Sequence, residues 1–248
     1  MKRVVHAVLK ACGYRLLKID RDAIEGVGPL LGAFFGALKK AGFSPRHILD
    51  VGANHGLWTR EAMAVFPDSQ YTLVEPQDEL KRNIEDLVRS GRKIEWINAA
   101  AGDRAGTMAF TIARRDDSST LSLSAEEARA EGLRQVPVKV RTLNEIVSAT
   151  GKTCPDLVKI DAEGFDLKVL AGATELFGKT EVFLVEAAVC CEYPNSVARV
   201  VEFMHEVGYR LMDITDLNRS PKHGVLWLCE MAFVRAGSQL LENVTSYE

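Results

Sequence analysis

The chain has 248 residues, of which 47% are hydrophobic and 26% charged, and its formal net charge is −3 at pH 7. This length is sufficient for one α/β domain with a large core. The slightly acidic balance lacks the basic excess that nucleic-acid binding usually requires, so we expect a small-molecule or glycan partner and no nucleic acid.

Cysteine usage and hydropathy bear on the compartment. The odd number of cysteines, without a Cys-x-x-Cys spacing, argues against a disulfide framework and against a zinc site. No apolar run reaches the roughly 18 residues of a membrane span. His6 and Lys10 interrupt the apolar stretch that follows Met1, which argues against a signal peptide. We therefore expect a cytoplasmic protein without a transmembrane segment.

Two helices are predicted in residues 1–45, which we interpret as an N-terminal helical extension. Residues 2–12 have an apolar face, and the basic residues around it fit a solvated face better than a membrane anchor. Pro29 is well placed to begin the second helix, which runs to Lys40 and ends at Gly42. We expect the extension to cover the sheet or to form a contact in a homo-oligomer.

A short buried strand that ends in a glycine turn is predicted from His47 to Gly56. Its apolar residues suit a strand buried on both faces. Asp50 interrupts them, and a buried carboxylate is costly unless a ligand or a donor lies beside it. Gly52 and Gly56 permit positive φ and close approach of the backbone to a bound molecule, and the helix that begins near Leu57 presents its free N–H groups to the same space.

The spacing of this turn indicates the ligand. A dinucleotide-binding turn follows Gly-x-Gly-x-x-Gly, whereas Asn54 stands here at the middle glycine and Asp50 would repel a phosphate. S-adenosylmethionine fits better, because its amino and sulfonium groups are positive and its adenosine is neutral. The alternative is an ordinary strand-to-helix turn capped by Asn54. The candidate cofactor contacts are Asp50, Gly52, Ala53, Asn54 and Gly56.

A second strand is predicted from Gln70 to Glu75 and ends in another acid. This carboxylate follows Asp50 by about 25 residues and can accept both hydroxyls of a ribose. Pro76 stops the strand, and an amphipathic helix is predicted from Gln77 to Ser90. Two strands that each end in an acid and continue into a helix predict a nucleoside site.

Six short motifs are distinctive: Leu49-Asp-Val-Gly-Ala-Asn-His-Gly56, Val74-Glu-Pro76, Asn98-Ala-Ala-Ala-Gly-Asp103, Val140-Arg-Thr-Leu-Asn144, Leu157-Val-Lys-Ile-Asp-Ala-Glu-Gly164 and Phe183-Leu-Val-Glu186. Through them, residues 45–236 resemble the FkbM-type S-adenosylmethionine-dependent methyltransferases. Many methyltransferases share the first two motifs, whereas Lys-Ile-Asp-Ala-Glu-Gly with the Val-Leu-Ala-Gly helix after it is much more specific. The resemblance implies a methyltransferase fold and O-methylation, often of sugars or other secondary metabolites.

In that family the segment after the third strand flanks the adenine. This strand is predicted here from Lys93 to Asn98, and the small residues after it allow an adenine to lie against the backbone. The resemblance thus favours Asn98 and Ala100 as cofactor contacts over a plain turn. A further strand, from Gly106 to Ala113, leads into a polar loop that is similar to a serine-rich loop of the family. Its candidate acceptor contacts, unless the loop is only solvated, are Ser118, Ser119 and Thr120.

A fourth strand of the main sheet is predicted from Asp156 to Asp161. Lys159, Asp161 and Glu163 recur with period two, so their side chains point to one side while the chain is extended. Open α/β sheets bind ligands at the carboxyl ends of their strands, and we therefore expect these three catalytic candidates beside the cofactor. Asp161 is the first choice for the base that removes the acceptor's proton. The alternatives are helix capping by Glu163 and charge neutralisation by Lys159.

The strand from Glu181 to Glu186 repeats this pattern. Glu186 could orient acceptor hydroxyls or help to bind a divalent ion, but no aspartate-rich run or histidine supports a metal, so metal dependence stays open. A helix from about Ser196 to Val207 and two antiparallel strands close the chain. His223, in the polar loop between these strands, is a candidate acid or base for the acceptor, unless it is merely exposed.

Together these elements predict a doubly wound, Rossmann-like methyltransferase fold in which a seven-stranded, mostly parallel sheet has an antiparallel last strand. Residues 46–248 form the expected S-adenosylmethionine-dependent domain. The predicted activity is methyl transfer to a hydroxyl oxygen of a small molecule or glycan, with a sugar as the expected acceptor. The alternatives are a catalytically silent protein that keeps the cofactor pocket and a nicotinamide-dependent dehydrogenase, against which the missing middle glycine argues.

Overall fold

The computed structural model describes residues 27–89, 91, 93–115, 118–190, 193–242 and 244. The helix predicted over residues 2–12 lies outside the described residues, and the division into residues 1–45 and 46–248 stays a prediction. No helix in the described ranges is long and apolar enough to cross a membrane.

The first half of the described chain alternates helices with parallel strands. Its elements are α1 (Pro29–Lys40), β1 (His47–Val51), α2 (Leu57–Val65), β2 (Gln70–Val74), a 3-10 helix (Asp78–Ile84), α3 (Glu85–Arg89) and β3 (Ile94–Ile97).

The second half contains a small additional sheet and the closing hairpin. Its elements are β4 (Ala100–Ala101), β5 (Gly106–Ile112), α4 (Ala125–Ala130), β6 (Arg134–Arg141), α5 (Leu143–Thr150), β7 (Leu157–Ile160), α6 (Asp166–Ala171), β8 (Val182–Ala188), α7 (Val197–Glu206), β9 (Tyr209–Arg219), β10 (Leu226–Arg235) and α8 (Gln239–Glu242).

The main sheet has seven strands in the order β3-β2-β1-β7-β8-β10-β9. The pairs from β3 through β8 are parallel, whereas β10 runs antiparallel to both β8 and β9. The predicted fold is thereby confirmed, including the reversed final strands. Because β2 follows β1 on one side and β7 joins it on the other, a crevice opens at the carboxyl ends of these strands, where open α/β sheets bind ligands.

Both faces of the sheet are covered by apolar layers. On one face, Phe34, Phe35 and Leu38 of α1 are fully buried and belong to the same core cluster as Ile48 and Tyr71 of the sheet. The helix begins at Pro29, as predicted, since a proline loses no hydrogen bond in the first turn. α1 is therefore part of the described core, while the opposite face packs against α5, α6 and α7.

Two local predictions need correction. The segment predicted as one amphipathic helix from Gln77 begins as a 3-10 helix, because the chain leaves β2 through a tight turn in which Leu80 N–H donates to Gln77 O at 3.0 Å. Helix α4 was not predicted; its capping box between Ser124 and Glu127 is the local signal that marks its start.

Candidate functional site

A cavity of about 410 Å³ opens at the carboxyl ends of β1, β2 and β7. Nine of the candidate residues from the sequence line it: Gly52, Ala53, Asn54, Glu75, Ala100, Ser119, Lys159, Asp161 and Glu163. The crevice expected from the order of the strands is therefore present, and these nine residues come from five separate stretches of the chain.

The turn after β1 forms one wall of this cavity. Gly52 and Gly56 have φ values of +75° and +71°, and Asn54 also lies in the left-handed region at +46°, which asparagine tolerates better than most residues. A Cβ on Gly52 would overlap the backbone oxygen of Asp161. Gly52 thus allows the ends of β1 and β7 to lie in contact. Gly56 does not line the cavity. A Cβ on Gly56 would press against Ile84 Cγ2 at 2.7 Å, so this glycine allows the turn to pack against the 3-10 helix.

Glu75 is the acid of the second wall and is only 3% exposed. Its Oε2 accepts the backbone N–H of Asn54 and its Oε1 accepts that of Gln77, both at 2.9 Å. Burial raises the pKa of Glu75, and these N–H donors oppose the increase. The Gln77 side chain also donates to this carboxylate, which leaves an accepting site for a ribose hydroxyl. Asn98 lines no cavity; its Nδ2 donates to the backbone oxygens of Glu75 and Pro76.

Asp50 lies behind the cavity wall and is fully buried. Thr59 Oγ1 donates to its Oδ2, and Lys159 Nζ lies 3.5 Å from its Oδ1. The same ammonium is 3.2 Å from Asp161 Oδ2 and 3.3 Å from Gly52 O. Burial alone would lower the pKa of Lys159, but Asp161 and Asp50 outweigh it and hold that pKa above its usual value. Asp50 therefore anchors Lys159, and Lys159 holds Asp161 in place.

The turn after β7 is organised by an acid that sequence reasoning missed. Asp166 is fully buried and accepts the backbone N–H groups of Ala162 at 2.9 Å and Gly164 at 3.1 Å, and Asn195 Nδ2 at 2.8 Å. Burial raises the pKa of Asp166 to about 7, against these hydrogen bonds. Helix α6 has no side-chain cap, so the capping role considered for Glu163 is not found, and Asp166 instead holds the turn before the helix. Glu163 lines the first cavity.

A second cavity, of about 270 Å³, adjoins the first. The residues that line both are Trp58, Lys159, Asp161 and Asp216. Its wall carries carboxylates from several elements, of which the sequence predicted only Asp161 and Glu186. The carboxylates that line it are Glu61, Asp161, Glu186, Asp216 and Glu230.

Glu230 is a buried acid of the second cavity, and Glu186 is a half-buried one. Glu186 Oε2 is buried and has no hydrogen-bond partner within the described structure. Burial and the nearby Asp161, Asp166 and Glu163 raise the pKa of Glu186 well above its ordinary value. Glu230 Oε1 accepts Thr215 Oγ1 at 2.6 Å, and burial raises the pKa of Glu230 to about 7.

The carboxylates of Asp161, Glu163 and Glu186 each place one oxygen within 4.8 Å of the others. Oxygen ligands of this kind suit Mg²⁺ or Ca²⁺. The ammonium of Lys159 already lies 3.2 Å from Asp161, however, and reduces the negative charge that a divalent ion would meet. The candidate metal ligands are thus together in space, with a cation of the protein beside them.

Three remaining candidates lie away from both cavities. Thr120 Oγ1 donates a hydrogen bond to Glu163 O at 2.7 Å and so fixes the turn after β7. Ser118 and the exposed His223 line neither cavity. Ser119 lines the first cavity, but its Oγ also accepts the backbone N–H of Ala113 at 3.1 Å.

The comparisons with known proteins agree with this geometry. A family profile described as the Methyltransferase FkbM domain matches residues 50–211, and the chain belongs to this family. It is an S-adenosylmethionine-dependent methyltransferase, as the resemblance in its motifs predicted. No curated protein sequence matches the chain significantly.

Two solved structures are similar to this chain at low sequence identity, and the first of them shows the same fold. Cofactor-bound Rv0187 from MTB is 16% identical with a TM-score of 0.50, over 95% of this chain and 90% of that one. Magnesium protoporphyrin IX methyltransferase (ChlM) from Synechocystis PCC 6803, with bound SAM, is 10% identical with a TM-score of 0.48, over 95% and 97% of the two chains.

The cavity walls fit S-adenosylmethionine. Glu75 lines the cavity with a carboxylate that can accept a ribose hydroxyl, and Ala100 leaves space for a flat ring. The carboxylates of Asp161 and Glu163 lie on the same wall, where they complement the positive charges of the sulfonium and amino groups.

Proposed function

We propose that this protein transfers the methyl group of S-adenosylmethionine to a hydroxyl oxygen of a small molecule or glycan, with a sugar as the acceptor. The observation that carries the proposal is the position of Asp161, which lines both cavities. A carboxylate at this junction can touch an acceptor in the second cavity and still lie beside the cofactor in the first.

The residues of the first cavity would hold the cofactor. Glu75 would accept its ribose hydroxyls, the turn from Gly52 to Asn54 would lie along it, and Ala100 would leave room for the adenine. When bound, S-adenosylmethionine would supply an electrophilic methyl group, whose bond to sulfur breaks so that S-adenosylhomocysteine is the leaving group.

Asp161 would act on the acceptor. An uncharged hydroxyl is a weak nucleophile, and its proton has to leave as the new carbon–oxygen bond forms; a placed base contributes about 10²- to 10⁴-fold. The proton would pass to the Asp161 carboxylate, which Lys159 Nζ orients at 3.2 Å. The hydroxyl oxygen becomes the ether oxygen of the product, and the proton later leaves Asp161 for solvent.

Carboxylates around the second cavity support a hydroxyl-bearing acceptor. Ionised acids accept O–H donors at two oxygens each, so a polyol can be bound by several at once. The wall of the second cavity combines Glu186, Asp216 and Glu230 with the amide of Asn218. The same wall also carries Leu31, Trp58 and Leu228, and a sugar offers both hydroxyls and apolar ring faces to such a mixed lining.

Mass spectrometry of glycans and metabolites tests the proposal. A strain without the gene should lose a species that is 14 daltons heavier than its precursor, and complementation with the intact chain should restore it. The methyl carbon should show the NMR shift of an O-methyl group. A product methylated on nitrogen or carbon would contradict the proposal, and so would a strain that loses no methylated species.

A further inference from the structure

We propose that the second cavity recognises its acceptor through a protonated amine, so that the substrate class is an amino sugar or another amino polyol. The inference rests on the proposed function, because it takes the second cavity as the acceptor site. It adds that the acceptor carries a positive charge and that the carboxylates of the second cavity select it.

The lining of the second cavity has an excess of negative charge. Lys159 is the one cation among the described residues that line it, and its ammonium is already shared between Asp50 and Asp161. The other carboxylates of the wall are Glu61, Glu186, Asp216 and Glu230. None of these four forms an ion pair with another described residue. A ligand cation would therefore be attracted, and an anionic acceptor repelled.

Glu186 supplies the second, independent observation. Its Oε2 is buried without a hydrogen-bond donor from the described chain, and a buried polar atom left unpaired is costly. The aqueous cavity lies beside it, so a donor from a ligand can reach this carboxylate. An ammonium group provides both the hydrogen bond and the opposite charge. Burial raises the pKa values of both Glu186 and Glu230, and the ammonium of Lys159 only partly opposes this increase.

The arrangement favours a monovalent organic cation over a divalent metal ion. A small divalent ion gathers about six oxygens at 2.0–2.6 Å around one point. Asp161, Glu163 and Glu186 are close together, but the other acids of this wall come from three different elements: Glu61 from α2, Asp216 from β9 and Glu230 from β10. Lys159 Nζ, at 3.2 Å from Asp161, would also repel a divalent ion bound by that residue. A flexible, hydroxyl-rich cation can contact several of these acids along its length.

This charge also determines which atom is methylated. An amine that is held by carboxylates stays protonated, has no free lone pair, and cannot attack a methyl group. The neutral hydroxyl beside Asp161 keeps its lone pairs and loses its proton only as the bond to carbon forms. The cavity would thus bind the amine and leave a neighbouring hydroxyl as the nucleophile.

Binding of matched sugars tests the inference without turnover. The probes are methyl glucosaminide, its N-acetyl derivative and methyl glucoside, titrated into the full chain at saturating S-adenosylhomocysteine and followed by calorimetry and protein NMR. We expect the amine to bind at least about tenfold more tightly than either neutral sugar, as one charge-assisted hydrogen bond predicts. Glu186→Gln and Asp216→Asn should each remove most of this preference. Glu186 lines only the second cavity, so Glu186→Gln should still bind S-adenosylhomocysteine.

Asp213→Asn is the matched control, because Asp213 is an exposed acid of the same strand as Asp216 and lines neither cavity. It should keep the full preference. Equal affinity for amine and neutral sugars, no binding of any probe in the second cavity, or displacement of the amine by millimolar Mg²⁺ would each overturn the inference; the last result would assign the acids to a metal. Because no probe is turned over, a methyl group later found on nitrogen would contradict the proposed function and leave this measurement valid.

Discussion

At the scale of single residues, the site depends on how buried charges are compensated. Lys159 balances Asp50 and Asp161, two backbone N–H groups balance Glu75, and Glu186 keeps an unpaired oxygen. Motif reasoning identified most of these acids, because each ends an apolar strand. It missed Asp166, Asp216 and Glu230, because nothing in their local sequence distinguishes them from surface acids; only the packing of β8, β9 and β10 buries Glu230 or directs Asp216 to a cavity.

Glu75→Gln tests the ribose contact. The amide has one accepting oxygen instead of two and no charge, so S-adenosylmethionine should bind about 2 kcal/mol more weakly, or roughly 30-fold. Calorimetry measures this directly, and circular dichroism checks that the variant is folded. Glu79→Gln, an exposed acid in the first turn of the 3-10 helix, is the control and should bind normally. Equal affinity of the two folded variants would remove Glu75 from the cofactor site.

The raised pKa of Glu230 predicts a pH dependence of stability. Burial raises this pKa from 4.5 to about 7, so the folded state holds the proton more tightly than the unfolded state. The stability that the folded state gains from holding this proton is complete below pH 4.5 and is lost as the pH rises through about 7. Between these two pH values the free energy of unfolding should therefore fall less in Glu230→Gln than in the parent. The difference should reach a few kcal/mol. Urea titrations across this range check it, and parallel pH profiles of variant and parent would contradict it.

At the scale of elements, glycines set how closely the strands and helices approach each other. A Cβ on Gly172, at the end of α6, would overlap Gly102 O, so two of the family motifs meet through a backbone contact. The sequence predicted the strands and long helices well, since their hydrophobic periods are regular. It could not predict that the Gly52 turn touches Asp161 O, because this contact joins β1 to a strand more than a hundred residues later.

Gly52→Ala should destabilise the fold before it affects the cofactor. Alanine is strained at φ +75°, and its Cβ would overlap the Asp161 backbone, so we expect a loss of several kcal/mol or no folding. Gly36→Ala, in the middle of α1 with no atom within 4 Å of its Cβ, should instead be neutral or stabilising by up to about 1 kcal/mol. Thermal unfolding compares the two. A Gly52→Ala variant as stable as the parent would show that the ends of β1 and β7 do not touch as described.

At the scale of the whole molecule, function depends on two cavities that share the carboxylates of Asp161 and Asp216. The cofactor cavity is formed at the ends of β1, β2 and β7, which the sequence order of the motifs predicted. The second cavity needs α2, β8 and the β9–β10 hairpin together. Its acids are distributed over the chain from Glu61 to Glu230, so no local spacing could indicate it. The central claim is that Asp161, at the junction, takes the proton of the acceptor.

Asp161→Asn tests this claim most directly, because it keeps the shape of the side chain and removes the base. The measurement is the amount of methylated product in a gene-deletion strain complemented with the variant, together with S-adenosylhomocysteine affinity of the purified protein. We predict a loss of at least about 100-fold in product formation, with cofactor affinity and melting temperature close to those of the parent, whereas His223→Ala should make normal amounts. Parental product levels from Asp161→Asn would contradict the account.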